Sequence, residues 1–113
     1  MRGHDNLIAL RHAGKAPKIV FLNDYPCKTD WFENHDHVTI STAGDQLSSL
    51  DLRFLTGLKV SISSESEGRA KALLAKAKWF GAKTVAACHV QPAHAHRQTG
   101  WNEIYHAPEV SHG

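Results

Sequence analysis

The hydrophobic positions of this chain fall into short runs that predict strands. Lys18 to Leu22 and Thr84 to Cys88 are largely apolar stretches without alternation, which is typical of strands covered on both faces. Leu58 to Ser63 alternates between apolar and polar residues and predicts a third strand. His37 to Ser41 predicts a weaker fourth strand. The pattern therefore predicts a sheet of about four strands.

Helical spacing separates these runs. Residues 5–12 predict a short helix before the first strand, and residues 50–55 predict one or two helical turns. Ser64 and Glu67 have the S/T-x-x-E spacing of a capping box, and the apolar residues after them recur at helical spacing as far as Phe80. A glycine is expected to end each of these segments: Gly14, Gly57 and Gly81.

The order of these elements predicts the fold class. Strand, helix and strand across residues 58–88 form a βαβ unit, whose crossover makes its two strands parallel. The chain therefore predicts a single small α/β domain with a mostly parallel sheet. We expect its core to span residues 1–90. Residues 91–113 predict a partly extended tail containing His and Pro, in which residues 101–106 can add an edge strand.

Composition narrows the class of protein. The chain has 113 residues, of which 42% are hydrophobic and 21% charged, as in soluble globular domains and unlike disordered or fibrous chains. Two cysteines without a CxxC motif argue against a cysteine-rich zinc site and indicate a reducing compartment. No apolar run approaches the roughly 20 residues of a membrane span, and no signal peptide is expected. We therefore expect a cytoplasmic protein that does not bind membranes.

Polar side chains lie where three predicted strands end. Ligands of open α/β sheets bind outside the carboxyl ends of the strands. Asp24, Ser63 and His89 are therefore the candidate catalytic residues of a small metal- or nucleotide-dependent enzyme. No glycine-rich phosphate-binding motif accompanies them. The alternative is structural: Asp24 caps a turn, Ser64 caps a helix, and His89 is a hydrogen-bonded strand end.

Histidine is the unusual residue, with nine copies. His89, His94 and His96 are the candidate metal ligands, with His106 as a fourth, because zinc takes three or four such ligands. The HxH spacing is a weak signal, and no HExxH motif accompanies it. The sequence therefore predicts no cofactor, with zinc as the alternative.

Charge and aromatic residues give the candidate interaction surface. Residues 68–113 contain six Lys or Arg but only two Asp or Glu, a balance that suits an acidic partner. Exposed aromatic residues are enriched at interfaces. The candidate interaction residues are Trp31, Phe32, Arg69, Lys71, Lys76, Lys78 and Trp101. The alternatives are a solvated helix face, aromatic residues that cover the core, and a nucleic-acid accessory protein.

Five stretches of the sequence carry a resemblance to known proteins. They are Met1–Asp5, Asn23–Trp31, Leu50–Leu55, Ala87–Val90 and Gly100–Trp101. Across them the chain resembles small uncharacterised proteins encoded by bacteriophages and prophages. The resemblance implies no activity, cofactor or catalytic residue, but it implies a class, since small phage proteins often bind and redirect a host protein. We therefore expect a non-catalytic interaction protein that binds a bacterial host macromolecule, with a host or phage protein as the partner.

Overall fold

Helices and strands follow one another in the predicted order. The structure, a computed structural model, describes residues 3–25, 37–41, 52–91 and 97–108. Its elements are α1 (Gly3–His12), β1 (Ile19–Asp24), β2 (His37–Ser41), a 3-10 helix (Leu52–Leu55), β3 (Lys59–Ser64), α2 (Glu67–Trp79), β4 (Thr84–Gln91) and β5 (Arg97–His106). The three glycines expected to end helical segments all have positive φ angles: Gly14, Gly57 and Gly81.

The strands form one sheet in the order β2-β1-β3-β4-β5. β1 pairs in parallel with both β2 and β3, and β3 pairs in parallel with β4. β5 is the strand at one edge of the sheet and pairs antiparallel with β4. The parallel sheet and the βαβ unit are confirmed. The strand count is five rather than about four, because the tail forms a strand over residues 97–106, four residues longer at its start than expected.

The core lies on one face of the sheet. Along β1, buried residues such as Leu22 alternate with half-buried residues such as Phe21, and β3 repeats this alternation around the buried Ile62. The buried strand residues form one hydrophobic cluster with residues of α1, the 3-10 helix and α2. Lys18–Leu22 and Thr84–Cys88, which we expected to be covered on both faces, are buried on one face and partly covered on the other, where Thr39 and Ser41 of β2 are also buried. Ile19 and Phe21 lie on the less covered face but are apolar. The alternation in burial along β1 is therefore not visible as an alternation of apolar and polar residues.

The described helices are short. α1 has 10 residues and α2 has 13, whereas a helix needs about 20 apolar residues to cross a bilayer. Among the described residues, no helix is long and apolar enough to span a membrane.

Gly81, after α2, provides a stability prediction. Its φ is +88°, and an added Cβ would lie 3.4 Å from Thr56 Cγ2. Gly81→Ala should lower the free energy of unfolding by about 1–2 kcal/mol, because an L side chain disfavours this conformation. Gly68→Ala is the matched control, since its Cβ would meet only Ser66 Oγ at 3.8 Å, and it should raise stability by about 0.5 kcal/mol. Urea unfolding measures both changes. Equal changes in the two variants would contradict the positive φ angle assigned to Gly81.

Candidate functional site

The carboxyl ends of the parallel strands meet at one edge of the sheet, which we call the rim. In the strand register, Asp24 of β1 pairs with Ser64 of β3, and Ser64 pairs with His89 of β4. Asp24 is 8% exposed and Ser64 is fully buried. Asp24 and Ser64 are therefore buried residues of the rim, and they lie beneath the first turn of α2.

Asp24 has two partners on one carboxylate oxygen. The Ser64 hydroxyl donates a hydrogen bond of 2.7 Å to Asp24 Oδ2. Arg69 Nε lies 3.3 Å from the same oxygen, and the Arg69 side chain is 67% exposed. A buried carboxylate needs such partners, because burial without them is strongly unfavourable. The contacts join β1, β3 and α2.

The cap of α2 differs from the prediction. The Ser66 hydroxyl accepts a hydrogen bond of 3.3 Å from the backbone N–H of Arg69 and is the N-cap. Ser64 still belongs to β3, and its hydroxyl accepts from the backbone N–H of Ser66 at 3.0 Å. The predicted capping box of Ser64 and Glu67 is therefore wrong. Ser64 cannot cap the helix because its hydroxyl serves Asp24 and the turn that leads into α2.

His89 fixes the loop between β3 and α2. Its Nε2 lies 3.0 Å from the carbonyl oxygen of Glu65, and the ring nitrogen must donate because a carbonyl only accepts. The ring therefore ties the end of β4 to that loop. This contact matches the structural alternative for His89, a hydrogen-bonded strand end.

Ser63 lies on the other face of the sheet. Successive residues of a strand point to opposite faces, and the Ser63 hydroxyl donates to Asn23 Oδ1 at 3.0 Å. The backbone of Tyr25 is held nearby, since its carbonyl accepts from the Ser41 hydroxyl at 2.9 Å. Asp24 and Ser63 therefore do not converge. Ser64 is the serine that contacts Asp24, whereas the sequence interpretation chose Ser63 as the candidate and gave Ser64 the role of a helix cap.

The candidate zinc ligands fall largely outside the described ranges. His94 and His96 lie in residues 92–96, which the structure does not describe. Within residues 3–25, 37–41, 52–91 and 97–108, no three His, Cys, Asp or Glu side chains are grouped so as to hold a metal ion. The zinc site at His89, His94 and His96 stays a prediction.

Two lysines of α2 lie over aromatic rings of β5. Lys71 Nζ is 5.5 Å from the centre of the Trp101 ring, and Lys78 Nζ is 4.6 Å from the centre of the Tyr105 ring. Lys71 also lies 3.4 Å from Glu67 Oε2, one turn earlier. A cation over an aromatic face is attracted by about 0.5–1 kcal/mol at an exposed site. Trp101, a predicted interaction residue, thus lies against α2 and packs partly on the core.

A different set of residues covers the outermost side of α2. It consists of Gly68, Ala72, Ala75 and Trp79, which are all exposed and recur at helical spacing. Trp79 is 85% exposed. Cations flank this stripe on both sides: Arg69, Lys71, Lys76 and Lys78. We call these eight residues the outer α2 surface. Of the predicted interaction residues, Trp31 and Phe32 lie outside the described ranges.

The rim and the outer α2 surface are the candidate sites that the described residues form. The rim binds its own strand ends together, whereas the outer α2 surface presents an aromatic side chain and cations to solvent. No family model matches this chain, and no curated protein or solved structure matches it either.

Proposed function

We propose that this chain is a small interaction protein without catalytic activity, and that its outer α2 surface binds an acidic segment of a partner protein. The observation that carries the proposal is Trp79, which is 85% exposed on a helix whose other large apolar residues are buried. Tryptophan is enriched among the residues that dominate binding energy at interfaces. Its exposure therefore indicates a place where a partner covers it.

The surroundings of Trp79 favour a particular partner. Gly68, Ala72 and Ala75 have small side chains, so the backbone of a partner can approach the outer side of α2 closely. The flanking Arg and Lys side chains complement a partner that carries carboxylates on both sides of an apolar stripe. An acidic amphipathic helix has this arrangement. In line with the resemblance to phage-encoded proteins, the partner that we propose is a bacterial host protein.

The rim supports the non-catalytic part of the proposal. One carboxylate oxygen of Asp24, Oδ2, accepts a hydrogen bond from Ser64 and pairs with Arg69. The Nε2 of His89 donates to a backbone carbonyl. These contacts orient strand ends and the start of α2, which is the behaviour of structural groups.

Capture from a bacterial lysate, followed by affinity measurement with the purified partner, tests the proposal. Trp79→Ala should weaken binding at least about tenfold, as expected for an interface anchor. Its free energy of unfolding should change by less than about 0.5 kcal/mol, because the side chain is exposed. Ile104→Ala is the matched control, since Ile104 is another large hydrophobic residue, 64% exposed, on β5. At low protein concentration, where self-association does not contribute, it should bind the partner as wild type does.

A charge variant tests the complementarity. Lys76→Glu should weaken binding, whereas Lys15→Glu makes the same charge change at an exposed position next to α1 and should not. Three outcomes would overturn the proposal. They are unchanged capture by Trp79→Ala, capture that nuclease treatment abolishes, and substrate turnover that is lost in Asp24→Ala or His89→Ala while the fold is kept.

A further inference from the structure

The outer edge of β5 carries a row of backbone hydrogen-bonding groups. The Ala107 N–H donates to the Lys83 carbonyl at 2.9 Å, and from there the register pairs His106 with Thr84 and Tyr105 with Val85. Hydrogen-bonded and non-hydrogen-bonded pairs alternate in an antiparallel ladder. The backbone groups of Asn102, Ile104 and His106 therefore point away from β4. In the described part of the chain, no strand pairs with this edge.

Residues 102–106 of β5 lack most of the devices that protect an edge strand. Natural proteins shorten such strands, place Pro or Lys in them, or bend them. β5 is 10 residues long, with no Pro or Lys. Its register shift against β4 lies between the pairs Cys88–Asn102 and Val90–Gln98, so residues 102–106 pair regularly with β4. Ile104 in its outer half is 64% exposed. An edge of this kind is a template for pairing with another strand.

We propose that two copies of this chain pair through β5, antiparallel and about a two-fold axis at Ile104. The two sheets then join into one continuous sheet of ten strands. Because the outward-pointing residues are spaced by two, the pairing forms about six backbone hydrogen bonds between residues 102–106 of the two copies. The exposed side chain of Ile104 packs against Ile104 of the second copy. A two-fold interface of this kind closes on itself.

Charge complementarity selects this register. With the axis at Ile104, Glu103 lies opposite Tyr105 of the second copy, in a non-hydrogen-bonded pair where side chains are closest. Lys78 lies 4.6 Å from the Tyr105 ring, so each Glu103 meets Lys78 of the other copy. An axis at Glu103 would instead place two carboxylates opposite each other, which is unfavourable. The ion pair forms twice because of the symmetry.

Disulfide formation tests the register directly. In a Cys27→Ser, Cys88→Ser background, Ile104→Cys should form an intermolecular disulfide, because the two Cα atoms lie about 5.5 Å apart in a hydrogen-bonded pair. Asn102→Cys, on the same strand and the same face, is the matched control. Its two Cα atoms lie about 14 Å apart in this register. Equal or faster crosslinking at position 102 would overturn the register.

Sedimentation over a range of protein concentrations tests the dimer itself. Ile104→Pro removes an outward-pointing N–H and no bond to β4, and should raise the dimer dissociation constant at least about tenfold. Ile104→Thr keeps the backbone donor and should retain a larger share of dimer. Circular dichroism must show that both variants keep the fold. A wild-type chain that stays monomeric at high concentration would overturn the proposal without bearing on partner binding. A dimer lost in Trp79→Ala but kept in Ile104→Pro would also overturn it, and would make a second copy the occupant of the outer α2 surface.

Discussion

Ile62→Ala should lower the free energy of unfolding by about 3–4 kcal/mol. Ile62 is fully buried in β3 and pairs in register with Leu22 on one side and Ala87 on the other, both also buried. Truncation removes three carbons from the centre of the sheet, and the paired strands on both sides limit how far the space can collapse. The residual cavity adds to the lost transfer free energy.

Urea unfolding at low protein concentration measures the effect of this substitution. Ile104→Ala makes the same chemical change in a strand at a position that is 64% exposed, and should cost less than about 1 kcal/mol. The contrast tests which face of each strand the core covers, because a shift of one residue exchanges the two faces. Similar losses in both variants would show that the assigned faces are wrong.

Asp24→Ala should lower the free energy of unfolding by about 2–3 kcal/mol. The carboxylate accepts the 2.7 Å hydrogen bond from the fully buried Ser64. Removing it leaves a buried hydroxyl without this acceptor and opens a small cavity. Arg69 contributes less to the loss, since its side chain is 67% exposed and regains water when Asp24 is gone.

Two further variants separate the contributions to the Asp24 effect. Asp24→Asn keeps an acceptor for Ser64 and should lose about 1–2 kcal/mol, whereas Arg69→Ala should lose less than about 1 kcal/mol. The Asp24–Arg69 double-mutant cycle measures their coupling. An increase in stability in Asp24→Ala would contradict a structural role. Removing active-site groups often stabilises a protein, so that result would favour the enzyme alternative.

The order of the elements could be predicted because it depends on local pattern. The alternation in Leu58–Ser63 and the helical spacing before Phe80 each reflect which side chains are buried, and three glycines supply the positive φ angles at helix ends. The helix that connects β3 to β4 is long enough for a crossover, which makes the two strands parallel. The fold class follows from these elements without any long-range contact being known.

The location of the rim could be predicted, but the contacts between its residues could not. Asn23 and Asp24 are neighbours in sequence, as are Ser63 and Ser64, but each pair points to opposite faces. Which serine meets Asp24 depends on the register of β1 against β3, and a single residue changes the answer. The N-cap of α2 could not be predicted for a similar reason. Ser63, Ser64 and Ser66 all precede the helix, and the sequence does not show which of them caps it.

The environment of Lys71 and Lys78 depended on a contact that sequence pattern does not encode. These residues are recognisable as one charged side of α2, for which solvation is the ordinary expectation. Their contacts with Trp101 and Tyr105 arise because β5 turns back along β4 and brings its aromatic rings beneath the helix. The exposure of Trp79 likewise depends on the side of α2 that the sheet leaves open.

The position of β1 between β2 and β3 has a consequence for synthesis of the chain. Ile19 pairs with Lys59, so one edge of β1 must wait for 40 more residues to be translated. At about 5–20 residues per second, that interval lasts roughly 2–8 s. The apolar segment Ile19–Leu22 is thus exposed on the nascent chain during this interval. We therefore expect the yield of folded protein to respond to the translation speed during this interval.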